Sequence, residues 1–233
     1  MFRDFSNKRE PFLSPACSQL VHLNYVDINR QADTAMKTII FVRHGESESN
    51  VAKIQADAID KYPLTVRGRS QVERLTQDLA LLRPNTLYSS PVLRAAETAG
   101  IISRRLNIPV QVNVALVERG WGRANGMRVS TFEEEVDLCL AADRYGIESI
   151  SSITKRVAEF MEELSPGITV AVTHADVIRC AVVHVLGINH DEFSSFGIVP
   201  ETATMTVVKE QGKFEVVVIG SPRATEIISR STQ

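Results

Sequence analysis

Short apolar runs alternate with longer amphipathic segments along most of the chain, and this pattern predicts strands that alternate with helices. The predicted strands are short runs, most of them rich in β-branched residues. They cover Lys37 to Arg43, Thr86 to Tyr88, Val110 to Val114, Ile168 to Thr173, Ala203 to Lys209 and Lys213 to Ile219. The last two runs flank Gln211-Gly212 and therefore predict a hairpin.

Helices are predicted between these strands, several of them with apolar residues at helical spacing. They cover Glu46 to Gln55, a stripe from Val72 to Leu82, Ser90 to about Leu106, Thr131 to Arg144, a stripe from Ile150 to Leu164, and Asp176 to Leu186. Ser90-Pro91 predicts a helix start, because a hydroxyl cap is followed by proline at the first helical position. Pro166-Gly167 predicts a helix end.

This alternation predicts an α/β fold, a three-layer sandwich in which a mostly parallel sheet is flanked by helices. Ligands of such sheets bind beyond the carboxyl ends of the strands. Arg43-His44 and His174 both follow directly on predicted strands. We therefore expect the functional region at this edge of the sheet.

The domain organisation follows from where the regular pattern starts and stops. Residues 1–35 carry no clean period and are predicted to form a poorly ordered extension, although Met36 could also be the natural start. Residues 36–220 form the predicted domain, with an irregular, glycine-bearing cap inserted at about 119–148. Residues 221–233 are predicted to be a C-terminal tail.

Composition and charge exclude several classes of protein. Among the 233 residues, 44% are hydrophobic and 23% are charged, which is the composition of a globular protein and not of a disordered one. A net charge of −2 gives no overall cationic field, so neither nucleic acid nor a membrane is an expected partner. Three scattered cysteines and a charged, signal-free N-terminal segment favour a reducing compartment, and we expect a cytoplasmic protein.

The tetrapeptide Arg43-His44-Gly45-Glu46 is the sharpest local feature, because it lies between a predicted strand and a predicted helix. Gly45 lets the backbone approach a ligand closely, and the amides at the start of a helix attract anions. An imidazole with an ordinary pKa of about 6.5 can take up a phosphoryl group and later yield it to water. His44 is therefore the candidate nucleophile.

Several further motifs share their order with one known family. They are Arg43 to Ser47 (RHGES) with Asn50, Leu64-Thr65 with Gly68 and Gln71, Ser89-Ser90-Pro91 with Arg94-Ala95 and Thr98-Ala99, Glu118, and Thr173-His174. In these motifs the chain resembles the histidine phosphatase superfamily, the phosphoglycerate-mutase-like proteins, over about residues 37–220. The resemblance implies the corresponding fold and is specific for the site, but only weakly specific for the substrate.

Phosphoryl transfer explains the cationic residues of these motifs. The transferring group spreads charge over three oxygens, and guanidinium groups offer it paired hydrogen-bond donors. Arg43 and Arg94 fit this role, and the alternative for Arg94 is a solvated charge on a helix face. The resemblance makes His174 a second donor to the phosphoryl oxygens.

The proton donor has two candidates. Glu118 resembles the family's acid, which protonates the leaving group. The chain departs from the family at Ala175-Asp176, where many relatives have two glycines. Asp176 is therefore a rival acid, or the N-cap of the following helix.

The substrate-binding candidates are Asn50, Thr65 and Arg119. The motifs place Asn50 and Thr65 near the phosphate, but capping or turn chemistry explains them equally well. Arg119, with Arg123 and Arg128, could select a second anionic group on the substrate or could lie on a solvated cap surface. We expect Cys180 to be a small core residue.

No cofactor is expected. The chain contains neither GxxxxGK[ST] nor GxGxxG, the usual phosphate cradles of nucleotide-binding folds. His174 and Asp176 alone suggest no metal site, because no third and fourth ligand have suitable spacing.

The expected function is the metal-independent hydrolysis of small phosphate monoesters through a phosphohistidine, with a small phosphorylated molecule as partner and homodimer formation left open. The first alternative is a phosphoglycerate-mutase-type phosphoryl transferase. Such mutases usually have a longer tail than the segment after Ile219, and they have tryptophan in the segment after Asn50, where this chain has none. The second alternative is a weakly catalytic interaction module that binds phosphate.

Overall fold

The computed structural model describes residues 36–129, 131–195, 198–210 and 212–223. The predicted extension 1–35 and most of the predicted tail lie outside these residues. No helix within the described part of the chain is long and apolar enough to cross a bilayer. The cytoplasmic location and the expected partners stay predictions.

A mixed sheet forms the centre of the molecule, and each predicted strand is present in it. Its strands are β1 (Lys37–Arg43), β2 (Thr86–Ser89), β3 (Val110–Val112), β4 (Gly167–Thr173), β5 (Met205–Glu210) and β6 (Phe214–Ser221). Their order is β3-β2-β4-β1-β5-β6. The first four in this order are parallel, and β5 and β6 add an antiparallel hairpin. The predicted, mostly parallel sheet is confirmed.

Helices fill the connections between the strands. They are α1 (Glu48–Ala52), α2 (Val66–Leu82), α3 (Leu93–Leu106), α4 (Phe132–Leu140), α5 (Ala142–Tyr145), α6 (Ile150–Glu163) and α7 (Ala175–Leu186). The first helix is shorter than predicted, because Lys53 adopts a left-handed conformation and ends it. The predicted helix over Thr131 to Arg144 is divided at Ala141, so that residues of both halves pack around Trp121.

The start of α3 differs from the prediction for a reason that matters to the site. The helix begins at Leu93, and its N-cap is Val92, which makes no side-chain capping bond. The Ser90 hydroxyl instead lies 2.9 Å from Nε2 of His174 and accepts from the Val92 amide at 3.2 Å. Ser90 therefore belongs to the site.

Alternation along the central strands produces the three layers. Ile40 and Val42 of β1 pack in one apolar cluster with α2 and α3, whereas Ile39 and Phe41 pack in a second cluster with α6 and α7. Helices thus cover both faces of the sheet, and the predicted three-layer sandwich is confirmed. A third, small cluster around Trp121 gives the predicted cap, at about 119–148, apolar packing of its own.

Candidate active site

Two adjacent parallel strands bring the two motif histidines together. Arg43 at the end of β1 is in register with Thr173 at the end of β4, so that His44 and His174 follow at the same edge of the sheet. Their ring centroids are 5.1 Å apart, and their exposed fractions are 2% and 0%. Residues that are 130 positions apart in sequence, as the numbering shows, thus share one buried site.

His44 is held as a neutral imidazole in one orientation. Its Nδ1 lies 2.8 Å from the carbonyl oxygen of Gly45, which only accepts, so Nδ1 carries the proton and Nε2 carries the lone pair. Burial, followed by the charges of Arg94 and Arg43, lowers the pKa of His44 well below its ordinary value. Nε2 is therefore available as a nucleophile at neutral pH.

Arg94 lies at the centre of the site. From the first turn of α3, its Nε donates to Nε2 of His44 at 3.0 Å. Its Nη2 donates to the carbonyl oxygen of Ala56 at 2.8 Å and lies 3.3 Å from Oε2 of Glu118. Its Nη1 is buried without a hydrogen-bond partner among the described residues. Arg94 is not a solvated helix charge, since its exposed fraction is only 2%.

His174 is the N-cap residue of α7 and has a partner at each ring nitrogen. Nδ1 lies 3.2 Å from Nη2 of Arg94 and 3.3 Å from Oε2 of Glu118, and Nε2 lies 2.9 Å from the Ser90 hydroxyl. Because that hydroxyl already accepts from the Val92 amide, its own proton can be donated to Nε2, which leaves Nδ1 as the donor facing Glu118. The sequence interpretation missed this role of Ser90, although the residue lies in the Ser89-Ser90-Pro91 motif.

Glu118 has the properties of an acid that works near neutral pH. Burial raises its pKa to about 7, with a further contribution from the nearby Asp176 charge, while Arg94 acts in the opposite direction. Its Oε1 accepts from the Arg119 amide at 2.9 Å, which fixes the carboxyl group. Glu118 can therefore hold a proton at neutral pH and release it.

Asp176 lies in the first turn of α7, but His174 is the N-cap, so the predicted capping role is wrong. Its carboxylate oxygens lie 3.6 Å from Nη1 of Arg119 and 3.1 Å from Nη1 of Arg179. Because both partners are guanidinium groups, the carboxylate accepts from them and is a poorer proton donor than Glu118. The geometry favours Glu118 over its rival.

Arg119 is neither on a solvated surface nor in contact with the cleft. It is 2% exposed, and its Nε donates to the carbonyl oxygen of Glu148 at 3.0 Å. Its guanidinium group also lies 5.3 Å from the ring centroid of Trp121. The structure thus places Arg119 behind the cleft wall, and the expected contact with substrate finds no support in its position.

Asn50 and Thr65 both act as local structural residues. Oδ1 of Asn50 accepts from the amide of Ser47 at 3.0 Å, although Asn50 also lines the cleft. Thr65 caps α2 by accepting from the Gly68 amide at 2.9 Å, and it donates to Oε1 of Glu46 at 2.7 Å. Thr65 is not part of the cleft lining, so its expected role in binding the phosphate stays a prediction.

The site opens into a cleft of about 530 Å³. Arg43, His44, Arg94 and Glu118 are among the residues that line it. Arg43 is fixed there by a hydrogen bond of 2.5 Å from Nη1 to the carbonyl oxygen of Pro200. A group bound at the end of β1 would thus meet two guanidinium groups and a neutral imidazole.

His44, Glu118 and His174 form a group of possible metal ligands, because nitrogen or oxygen atoms of the three side chains lie within 4.8 Å of one another. This cluster joins His174 to His44 and Glu118, and it does not include Asp176, the residue paired with His174 in the sequence analysis. However, the Arg94 guanidinium lies within hydrogen-bond distance of all three side chains. A metal ion there would face a fixed positive charge, so these residues suit an anion better than a cation.

Known proteins are similar to this chain in sequence. Residues 39–221 match the family model of the histidine phosphatase superfamily (branch 1). The chain is 35% identical over 177 residues to a 2,3-bisphosphoglycerate-dependent phosphoglycerate mutase of Thermoplasma acidophilum, covering 74% of this chain and 87% of the relative. It is also 29% identical over 194 residues to phosphoserine phosphatase 1 of Hydrogenobacter thermophilus, covering 78% and 90%.

Solved structures share the fold. A mycobacterial glucosyl-3-phosphoglycerate phosphatase in complex with VO3 superposes with a TM-score of 0.68 at 22% identity, covering 79% of this chain and 98% of that one. At this identity the likeness concerns the fold alone. The similar sequences thus include both a mutase and a phosphatase.

Proposed function

The chain belongs to the histidine phosphatase superfamily, and from this premise we propose that it hydrolyses small phosphate monoesters through a phosphohistidine on His44, without a metal ion. One observation carries the proposal. A neutral His44 Nε2 and a Glu118 carboxyl with a pKa of about 7 lie at one guanidinium group, that of Arg94. A nucleophile and an acid are thereby both in their working states near neutral pH.

The first half-reaction forms the phosphohistidine. The lone pair of His44 Nε2 attacks phosphorus, the bond between phosphorus and the ester oxygen breaks, and Glu118 gives its proton to the departing alkoxide. The arriving phosphoryl oxygens accept from Arg94 Nε, which otherwise donates to His44 Nε2, and from Arg94 Nη1, which has no partner within the described part of the chain. Arg43 and His174 Nδ1 add donors to the oxygens, which stabilises the transition state.

The second half-reaction releases phosphate. Glu118, now a carboxylate, accepts a proton from a water molecule whose oxygen attacks phosphorus. The bond between phosphorus and Nε2 breaks, its electron pair returns to His44, and Glu118 is again protonated. The cycle balances without a metal, because guanidinium groups supply the positive charge.

A mutase is the second candidate, and the 35% identical Thermoplasma relative favours it. A mutase returns the phosphoryl group from His44 to a second substrate oxygen before water attacks. The two activities are separated by incubating the protein with 3-phosphoglycerate and measuring 2-phosphoglycerate and inorganic phosphate together. Conversion that exceeds phosphate release would replace our proposal by the mutase.

The central test measures phosphate release from 4-nitrophenyl phosphate in the presence of a chelator. We expect the wild-type protein to be active and to carry phosphate on His44 in quenched samples analysed by mass spectrometry. His44→Ala should lose both signals, whereas His184→Ala, a change at an exposed histidine of α7, should keep them. Equal rates for wild type and His44→Ala would refute the nucleophile, and an inactive wild type would favour the phosphate-binding module.

A further inference from the structure

The wall of the cleft includes apolar side chains, whereas its base contains the charged residues that we propose bind the phosphate. We infer that the preferred substrates carry no anionic group besides the transferred phosphate and have a partly apolar body. This inference rests on the proposed phosphatase activity and concerns the part of the substrate that lies outside the ring of phosphate-binding residues.

Uncovered apolar side chains form part of the wall. Val51 of α1 and Val199 line the cleft with exposed fractions of 65% and 41%. The half-buried Ile54 and Val129 line the cleft as well. A substrate body that covers these side chains removes apolar surface from water, which favours binding. A strongly hydrated body gains nothing from this wall.

The cationic charge of the cleft is nearly balanced before a second anion arrives. Three cationic side chains line it, Arg43, Lys53 and Arg94, against the carboxylates of Glu46 and Asp176, because Glu118 holds its proton near neutral pH. A phosphate dianion therefore exceeds the net positive charge that the described lining offers. A carboxylate elsewhere on the substrate would share this lining with Asp176 and Glu46, and like charges repel.

Two of the three cap arginines expected to select a second anion are bound to other groups of the protein. Arg119 is buried against Asp176 and Glu148. Arg123 donates to the carbonyl oxygen of Arg144. The third, Arg128, is exposed, but none of the three lines the cleft. The cleft lining therefore gives no support to the expectation that the cap recognises a second anionic group.

Three substrates with primary alkoxide leaving groups test the inference at pH 6.5 and low ionic strength. Glycerol 3-phosphate has a hydroxymethyl group where 3-phosphoglycerate has a carboxylate. The third substrate, n-hexyl phosphate, has an apolar body. We expect kcat/KM to fall about tenfold from glycerol 3-phosphate to 3-phosphoglycerate, and to rise for n-hexyl phosphate. An equal or higher kcat/KM for 3-phosphoglycerate would overturn the inference.

A matched pair of variants locates the effect. Val51→Lys places a cation on the wall and should raise the kcat/KM ratio of 3-phosphoglycerate to glycerol 3-phosphate by about three- to tenfold, less so in high salt. Val112→Lys is the control, because Val112 is 64% exposed but lies on β3 outside the cleft lining, and the ratio should not change. An unchanged ratio in Val51→Lys, or an equal rise in both variants, would contradict the inference.

The proposed function and this inference fail differently. If all three substrates release phosphate but the carboxylated one is preferred, only the inference is lost. If none is hydrolysed and no phosphate is found on His44, the proposed function is lost and the inference with it.

Discussion

His44 and Glu118 show how one buried environment prepares two residues for opposite tasks. Removal from water disfavours charge on both, so the pKa of the imidazole falls and the pKa of the carboxyl rises. Both groups are therefore neutral between the two shifted values. In that state one has a lone pair to attack with and the other has a proton to give.

The pH dependence of the reaction follows from these shifts. We expect kcat/KM to fall above about pH 7 as Glu118 ionises, and to fall at acidic pH only well below the ordinary pKa of histidine. Asp176→Asn should move the alkaline limb to lower pH, because the Asp176 charge raises the pKa of Glu118. Asp143→Asn, at an exposed position of α5, should leave the limb in place. An alkaline limb that does not move in Asp176→Asn would remove Glu118 as the acid.

Ser90 acts on the reaction through His174. Ser90→Ala leaves Nε2 of His174 without its 2.9 Å partner, so the ring no longer keeps Nδ1 as the donor. We expect kcat to fall about 10- to 100-fold, the size of a lost buried hydrogen bond, with a smaller change in KM. Nitrogen NMR shifts of the labelled ring should show a changed tautomer in the variant. Unaltered shifts together with an unaltered kcat would contradict this role.

At the scale of elements, the sequence predicted what depends on local pattern. The period of β1 and β4 predicted both strands, and their parallel pairing then placed His44 beside His174. The sequence could not reveal that Arg119 is buried against Asp176, because the two residues are distant in the chain and meet only in the folded protein. Ser90 shows the same limit. The local sequence predicts a helix cap, whereas the hydroxyl's partner, His174, is 84 residues away in the chain.

The loop that carries His44 crosses the start of α2 at backbone contact. A Cβ on Gly68 would lie 2.0 Å from the carbonyl oxygen of Glu46, and the Thr65 amide donates to that same oxygen at 2.9 Å. A Cβ on Gly45 would lie 2.7 Å from the carbonyl oxygen of Gly68. Both glycines are therefore needed for the close approach of helix and loop.

Gly68→Ala should separate the loop from the helix and displace His44. We expect a loss of roughly 1–3 kcal/mol in the free energy of unfolding, as for other overpacked sites, and a marked loss of phosphatase activity. Gly100→Ala is the matched control, because it also lies within a helix, α3, and its Cβ would meet only the Arg104 side chain at 3.5 Å. The control should be neutral or slightly stabilised. Equal thermal and catalytic behaviour of the two variants would disprove the packing role of Gly68.

For the molecule as a whole, the site is a place where folding removes ionisable groups from water. His44, His174 and Arg94 are almost fully buried, and Asp176 and Arg179 are buried beside them. Such desolvation opposes folding unless partners compensate for it. The two apolar clusters on either side of the sheet supply the stability that this arrangement requires.

The burial of Glu118 makes the free energy of unfolding depend on pH. Its pKa is about 7 in the folded protein against an ordinary 4.5, so between these values the unfolded chain releases a proton that the folded protein retains. The contribution of this group to stability is therefore present at low pH and is lost as pH rises through about 7. Its side chain is 13% exposed, so the loss should be substantial.

Glu118→Gln removes this titration while keeping the shape of the side chain. Relative to wild type, the variant should gain on the order of 1–3 kcal/mol in free energy of unfolding between pH 4.5 and pH 8, although it loses activity. Urea denaturation at both pH values measures the difference. Glu159→Gln, at a surface position 61% exposed, should show no such dependence on pH. If Glu118→Gln differed from wild type by the same amount at both pH values, Glu118 would not be the carboxyl that burial keeps protonated.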